Sequence, residues 1–387
     1  MLCKGMVIFM TDEKKLKQLI LTKRLVLVTM ILYIAVFFVI NSPYLTADNL
    51  RRFFADLTYS FRSEVSADGM KALEDDTKTS VRLFKDGYAI LNSNRVVICG
   101  REGNEYSSHT LHYAAPVLKT SDQYVLCFDR GGTSICVTDS FRILFQMETD
   151  HPIINASVSD SGYVALATQR YEYRGAATVY NLEGTALARW NSDSYILDLF
   201  FGEKDAISVF SISSSGESVD TVLTVLDYRE GKSTSQQVCE GLMPLAMAAK
   251  ENGTVEILSD SRAIVFSADS VAVSHTYISR LPYIYYQDAV CTMLSYELGN
   301  GKQLVEAFDS NGTVLFSLEF EKIRSLCCYR NVFLVLTDEM LSVLDRTGKV
   351  LAEQMVSELS GKIIAGPDSA FFVGETYIKR LNILDGI

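Results

Sequence analysis

From about residue 80 to its C-terminus the chain sets short apolar runs between clusters of glycine, aspartate, asparagine and serine. Runs of this length bounded by turn formers predict β-strands. The runs also recur in a fixed order: strand, turn, strand, polar gap, then two more apolar runs. One unit covers residues 177–189 with its turn at Asn181-Leu-Glu-Gly184, followed by 195–201 and 206–212. A second covers 304–316 with the turn Asp309-Ser-Asn-Gly312, followed by 323–329 and 332–337, and a third covers 341–352 with the turn Asp345-Arg-Thr-Gly348, followed by 363–366 and 369–374. Weaker copies start near Val96, Ile135, Val222 and Ala263, so the period is roughly 40 residues.

Four strands per such period is the pattern of a β-propeller blade. A four-stranded sheet cannot bury both faces alone, so blades stack around an axis and the ring closes through strands from the two ends of the chain. The tail, residues 377–384, starts a further copy that the chain does not finish, and residues 81–84 and 88–91 are its expected partners. Seven starts plus this incomplete copy favour seven blades over eight within an all-β class. A pair of β-sandwiches would supply short strands but not the fixed turn inside each period.

The N-terminal part follows a different pattern. Residues 25–40 are almost wholly apolar, and the run reaches the length of a bilayer span when counted to Leu45. Lys14, Lys15, Lys17, Lys23 and Arg24 precede it, which places the short segment 1–24 in the cytoplasm and the rest of the chain outside the cell membrane. A cleaved signal peptide is the alternative; its best cut, after Ala47, puts Leu45 where a small residue belongs. Within 46–79, Leu50, Phe53, Phe54, Leu57 and Phe61 recur at helical spacing, and Thr46 or Asp48 can cap that helix. The polar stretch 62–79 reads as a connector, and 80–387 as the extracellular propeller.

A net charge of −11 and a pI near 5.0 argue against a nucleic-acid surface, which needs clustered lysine and arginine. Apolar residues make up 48% of the chain, enough for a packed core rather than a disordered stalk. Of the cysteines, Cys99, Cys127, Cys136, Cys239, Cys291, Cys327 and Cys328 fall outside the membrane; they are odd in number, irregularly spaced, and mostly set in apolar runs as small hydrophobes. One pair differs. In the hairpin 124–137, counting outward from Gly131-Gly132 sets Cys127 opposite Cys136, close enough for a disulfide.

Units such as Leu344-Asp-Arg-Thr-Gly-Lys-Val-Leu351 resemble blades of the quinoprotein-like and WD40-like propeller superfamily, and the anchored arrangement is similar to single-pass membrane propeller proteins of Firmicutes. The resemblance implies fold rather than activity. It departs from the pattern in one respect: Trp190 supplies the tryptophan that often ends quinoprotein-like repeats, whereas Phe316 and Ala352 stand in the comparable places.

The sequence offers little chemistry. Its four histidines, His109, His112, His151 and His275, are scattered; His109 and His112 sit three apart on a strand or loop, where their side chains diverge. No zinc spacing, nucleophile elbow, phosphate loop or calcium loop occurs, so neither catalytic residue, cofactor nor metal is expected. Tyrosines crowd residues 169–174 and 275–287. Of these, Tyr283, Tyr285 and Tyr286 are the candidate binding surface, with blade packing as the alternative use of such rings. The expected function is a non-enzymatic, membrane-anchored propeller that binds an envelope or membrane protein. A quinoprotein-like oxidoreductase or a polysaccharide-acting enzyme is the second reading, and a sensor that recruits a partner through its membrane helix is the third.

Overall fold

In the computed structural model the described residues are 21–33, 36, 46–62 and 70–382, except 203–205, 216–217, 230–231, 251–253, 268–270, 279–281, 300, 330–331, 357–360 and 367–368. Among them lie eight four-stranded antiparallel sheets. Seven are built from consecutive strands: blade 1 spans residues 80–110, blade 2 116–148, blade 3 153–192, blade 4 195–239, blade 5 244–276, blade 6 284–321 and blade 7 323–355. Blade 8 takes Lys362–Ala365, Ala370–Val373 and Tyr377–Arg380 from the end of the chain, and Met70–Ala72 completes it at the outer edge. The count is therefore eight rather than seven.

The closing strand also corrects the expected pairing of the tail. Tyr377–Arg380 bonds to Met70–Ala72, in the register Lys71 to Ile378, and not to the strands Ser80–Phe84 and Gly87–Leu91, which belong to blade 1. The stretch read as a connector thus contributes a strand, and its acids stitch it down. Glu74 accepts hydrogen bonds from Arg95 at 2.5 Å and Asn92 at 2.7 Å, and Asp76 accepts from the Ser93 N–H at 2.9 Å.

Every blade has a neighbour on both faces, so its middle strands are apolar on both sides. Blade 2 shows the division: Val125, Cys127 and Cys136 pack toward blade 1, whereas Leu126, Phe128, Ile135 and Val137 pack toward blade 3. Eight apolar clusters result, one for each pair of successive blades, and the last joins Val81, Tyr88 and Val97 of blade 1 to Phe371, Val373 and Ile378 of blade 8. There the Tyr88 and Phe371 rings meet edge to face with centroids 4.9 Å apart.

The repeated turn has a local cause. In blade 7, Asp345 Oδ1 accepts the N–H groups of Thr347 and Lys349 at 2.8 and 3.0 Å, and the Gly348 N–H donates to the Asp345 carbonyl at 3.0 Å. This geometry needs a left-handed residue, which Gly348 supplies at φ +84°. Asp309 with Gly312 and Asn181 with Gly184 repeat the arrangement between the third and fourth strands of blades 6 and 3. The register also shows that Ala188, not Trp190, matches Phe316 and Ala352; Trp190 lies two residue pairs further along its strand.

The N-terminal unit is separate. Residues 21–33 are helical and exposed, while 34–35 and 37–45 of the expected membrane span lie outside the described residues. Among the described residues no helix is long and apolar enough to cross a membrane. The expected amphipathic helix is Ala47–Arg62, with Thr46 as its cap: the Asn49 N–H donates to Thr46 Oγ1 at 3.2 Å. Leu50, Phe53, Phe54 and Leu57 are exposed along it.

Candidate binding face

A depression of about 1010 Å³ opens where blades 6 and 7 meet, lined by Tyr283, Glu297, Lys302, Lys322, Arg324 and Asp338 among others. Blade-to-blade connections and the turns between second and third strands build this rim. Lys322 is the single residue between Val314–Glu321 and Ile323–Tyr329, and so tight a crossing forces it to φ +48°, a left-handed conformation uncommon for a side chain of its kind. The Ile323 N–H donates to Gln303 Oε1 at 2.6 Å, which fixes the start of the next strand. Arg324 then pairs with Asp338, and Lys322 Nζ stands 3.8 Å from the same carboxylate.

Tyr283 is held by its backbone, whose N–H donates to the Ser295 carbonyl at 2.7 Å, and its side chain is left outside the core at 63% exposure. Tyr285, on the inner strand Ile284–Gln287, is 47% exposed, and Ile278 and Leu298 add exposed apolar surface near the same connections. The depression therefore combines paired charges of both signs with the amphipathic ring of Tyr283. This is surface suited to non-covalent contact with a polypeptide.

Tyr286 departs from the expected surface. Its ring packs against the cores between blades 6 and 7 and between blades 7 and 8, and its hydroxyl donates to Asp288 Oδ2 at 2.8 Å. Burial pushes the pKa of its hydroxyl well above the tyrosine range. Tyr277 is likewise buried and donates to the Ser259 carbonyl at 3.0 Å. In the other tyrosine-rich segment, Tyr171 is almost fully exposed beside His151, and Tyr173 is partly exposed.

Cys127 and Cys136 stand opposite each other as counted from the sequence, both fully buried and with separate thiols. Burial pushes the Cys127 thiol up well past its ordinary range and the Cys136 thiol up to about 12. His109 is half-buried in the fourth strand of blade 1, where burial lowers its basicity, and His112 is exposed in the following loop. His275 lies 3.2 Å from Glu306 across the seam of blades 5 and 6.

Two groupings were not evident in the sequence. Lys250 and Glu256 form an ion pair at 3.0 Å with side chains 1% and 3% exposed; Lys250 Nζ also donates to the carbonyls of Asp288 and Cys291 and to Thr292 Oγ1, and Gln287 Nε2 donates to Glu256 Oε2 at 2.9 Å. The pair thereby bolts blade 5 to blade 6. Beside it, ligand atoms of Asp288, Cys291 and Cys328 lie within 4.8 Å of one another, the one such convergence of three donors among the described residues. No signal in the one-dimensional spacing could have found it, because Cys328 comes from the next blade.

Comparison with known proteins agrees with this architecture. BamB from Moraxella catarrhalis superposes with a TM-score of 0.52 at 11% identity, covering 80% of this chain and 96% of its own. AztD from Citrobacter koseri gives a TM-score of 0.49 at 11% identity, covering 76% and 87%. At this identity the likeness to BamB concerns the propeller fold alone. No curated protein sequence matches significantly. A family model described as a family of unknown function (DUF5711) matches residues 59–383, the whole of the propeller, and the chain belongs to that family.

Proposed function

We propose that the chain is a non-enzymatic scaffold that holds a protein partner on the face around Tyr283, presented outside the cell by a single membrane anchor over residues 25–45. The observation that carries the binding role is the exposure of Tyr283 in the charged depression between blades 6 and 7, with Tyr285 exposed two residues further along the chain. A large ring kept outside a fully packed core gains nothing for folding, but it contributes strongly when a partner covers it. Eight blades locked by apolar seams supply a rigid platform, so little order is lost on binding.

The anchor rests on the apolar run with basic residues before it, and on the exposed stripe Leu50, Phe53, Phe54 and Leu57, which suits the membrane interface just beyond a span. The partner in this reading is an envelope or membrane protein. The Tyr283→Ala/Tyr285→Ala variant tests it: capture of the cross-linked partner from intact cells falls sharply while the melting temperature is unchanged. Undiminished capture by a folded variant contradicts the assignment.

A further inference from the structure

We propose that Asp288, Cys291 and Cys328 form a site for one divalent cation of the zinc class, which ties blade 6 to blade 7. Two thiols and a carboxylate are a donor set suited to zinc, and three protein donors leave one tetrahedral position for solvent or an added ligand. The three donor atoms lie within 4.8 Å of one another, so no large movement is needed to gather them around one ion.

The carboxylate is oriented in advance. Asp288 Oδ1 accepts the N–H groups of Val290 and Cys291 at 2.8 Å each, and Oδ2 accepts the Tyr286 hydroxyl at 2.8 Å. Three of its roughly four acceptor positions are thereby used, which leaves one for a cation and supplies the outer hydrogen bonds that fix a ligand. Lys250 holds the same turn from blade 5 through the Asp288 and Cys291 carbonyls, at 2.9 and 3.1 Å. The turn is thus rigid before an ion arrives.

Both thiols are buried, and the Cys291 proton is held by its hydrogen bond with Cys328 and then by burial. Binding replaces the two thiol protons, which pass to water, with two sulfur–metal bonds; nothing is oxidised or reduced. The resulting charge, two thiolates and a carboxylate against a dication, is −1, and the nearby Lys250 ammonium offsets it in part. A disulfide between Cys291 and Cys328 is the competing use of the pair, but it would leave the remaining acceptor position of the Asp288 carboxylate unused.

The test uses the full chain, reduced and stripped with a chelator, then titrated with Co²⁺. The expected result is a single equivalent bound with a thiolate-to-cobalt charge-transfer band, displaced by Zn²⁺. Cys291→Ser and Cys328→Ser each remove the band, while Asp288→Asn keeps it and weakens Zn²⁺ binding by roughly tenfold or more. No band in the wild-type chain, or a band that survives the double Cys291→Ser/Cys328→Ser change, overturns the site. Should the variants fail to fold, alkylation of the wild-type chain decides. Zn²⁺-dependent protection of Cys291 and Cys328, with half-buried Cys239 as reference, supports the site, and equal labelling with and without Zn²⁺ overturns it.

Discussion

Lys71 stands opposite Ile378 in the antiparallel pair that joins the first strand of the propeller to its last. Through this contact a segment some three hundred residues away in sequence supplies the outer edge of blade 8, while Ile378, 1% exposed, fills the seam with blade 1. Closure is thus made by strand pairing outside and by apolar packing between blades.

A chain beginning at Leu73 is therefore expected to melt well below one beginning at Met70, although only three residues separate them. Losing the strand exposes an unpaired edge and removes the cover from the blade that completes the ring. Equal melting temperatures for the two truncations would refute closure through Met70–Ala72. By the same logic Ile378→Ala costs about 2–5 kcal/mol in chemical denaturation.

Replacing Lys250 with methionine leaves Glu256 buried without its cation. The expected loss is about 3–5 kcal/mol, read from the denaturation midpoint. The double change Lys250→Met/Glu256→Leu restores much of it, because an apolar pair no longer has an unpaired charge to desolvate. A double variant as unstable as the single one would mean that the hydrogen bonds of Lys250 to the neighbouring turn, rather than its charge, hold the seam.

At the repeated turn, hydrogen bonds from the Thr347 hydroxyl and then the Lys349 N–H hold the Asp345 carboxyl below the usual aspartate range. Its folded value is depressed, so its contribution is fully present above the unfolded aspartate value near 3.9 and is lost as pH falls through the lower folded one. The melting-temperature gap between wild type and Asp345→Ala is expected to be constant at neutral pH and to narrow below about pH 4. A gap that does not change with pH would show that the loss is one of shape alone.

Much of the propeller was legible because a closed repeat imposes the same turn and the same alternation in each blade. The seven starts and the unfinished tail are the eight third strands, from Arg95–Cys99 to Tyr377–Arg380. The sequence pattern points to seven blades because the apolar runs 81–84 and 88–91 offer the tail a ready partner. Its true partner, Met70–Ala72, is an outer edge strand with two exposed positions, and such a strand needs no apolar pattern to announce itself. Sequence pattern does not distinguish Tyr283, Tyr285 and Tyr286, since only the packing of both blade faces separates the buried ring from the exposed two. Cys291 and Cys328 meet through blade stacking, which linear spacing does not encode.

The anchor has its own test. The full chain is expected to stay with membranes through an alkaline wash, and a chain lacking residues 1–45 to be released. Release of the full chain under the same wash would remove the membrane assignment while leaving the binding face untouched.

The face around Tyr283 is the proposed place of contact. A photo-cross-linking amino acid placed at position 283 in living cells is expected to give a discrete adduct with one envelope protein, and the same group at 171, in blade 3 and almost fully exposed, to give none. Adducts equal at the two positions, or absent at 283, would contradict the proposed function.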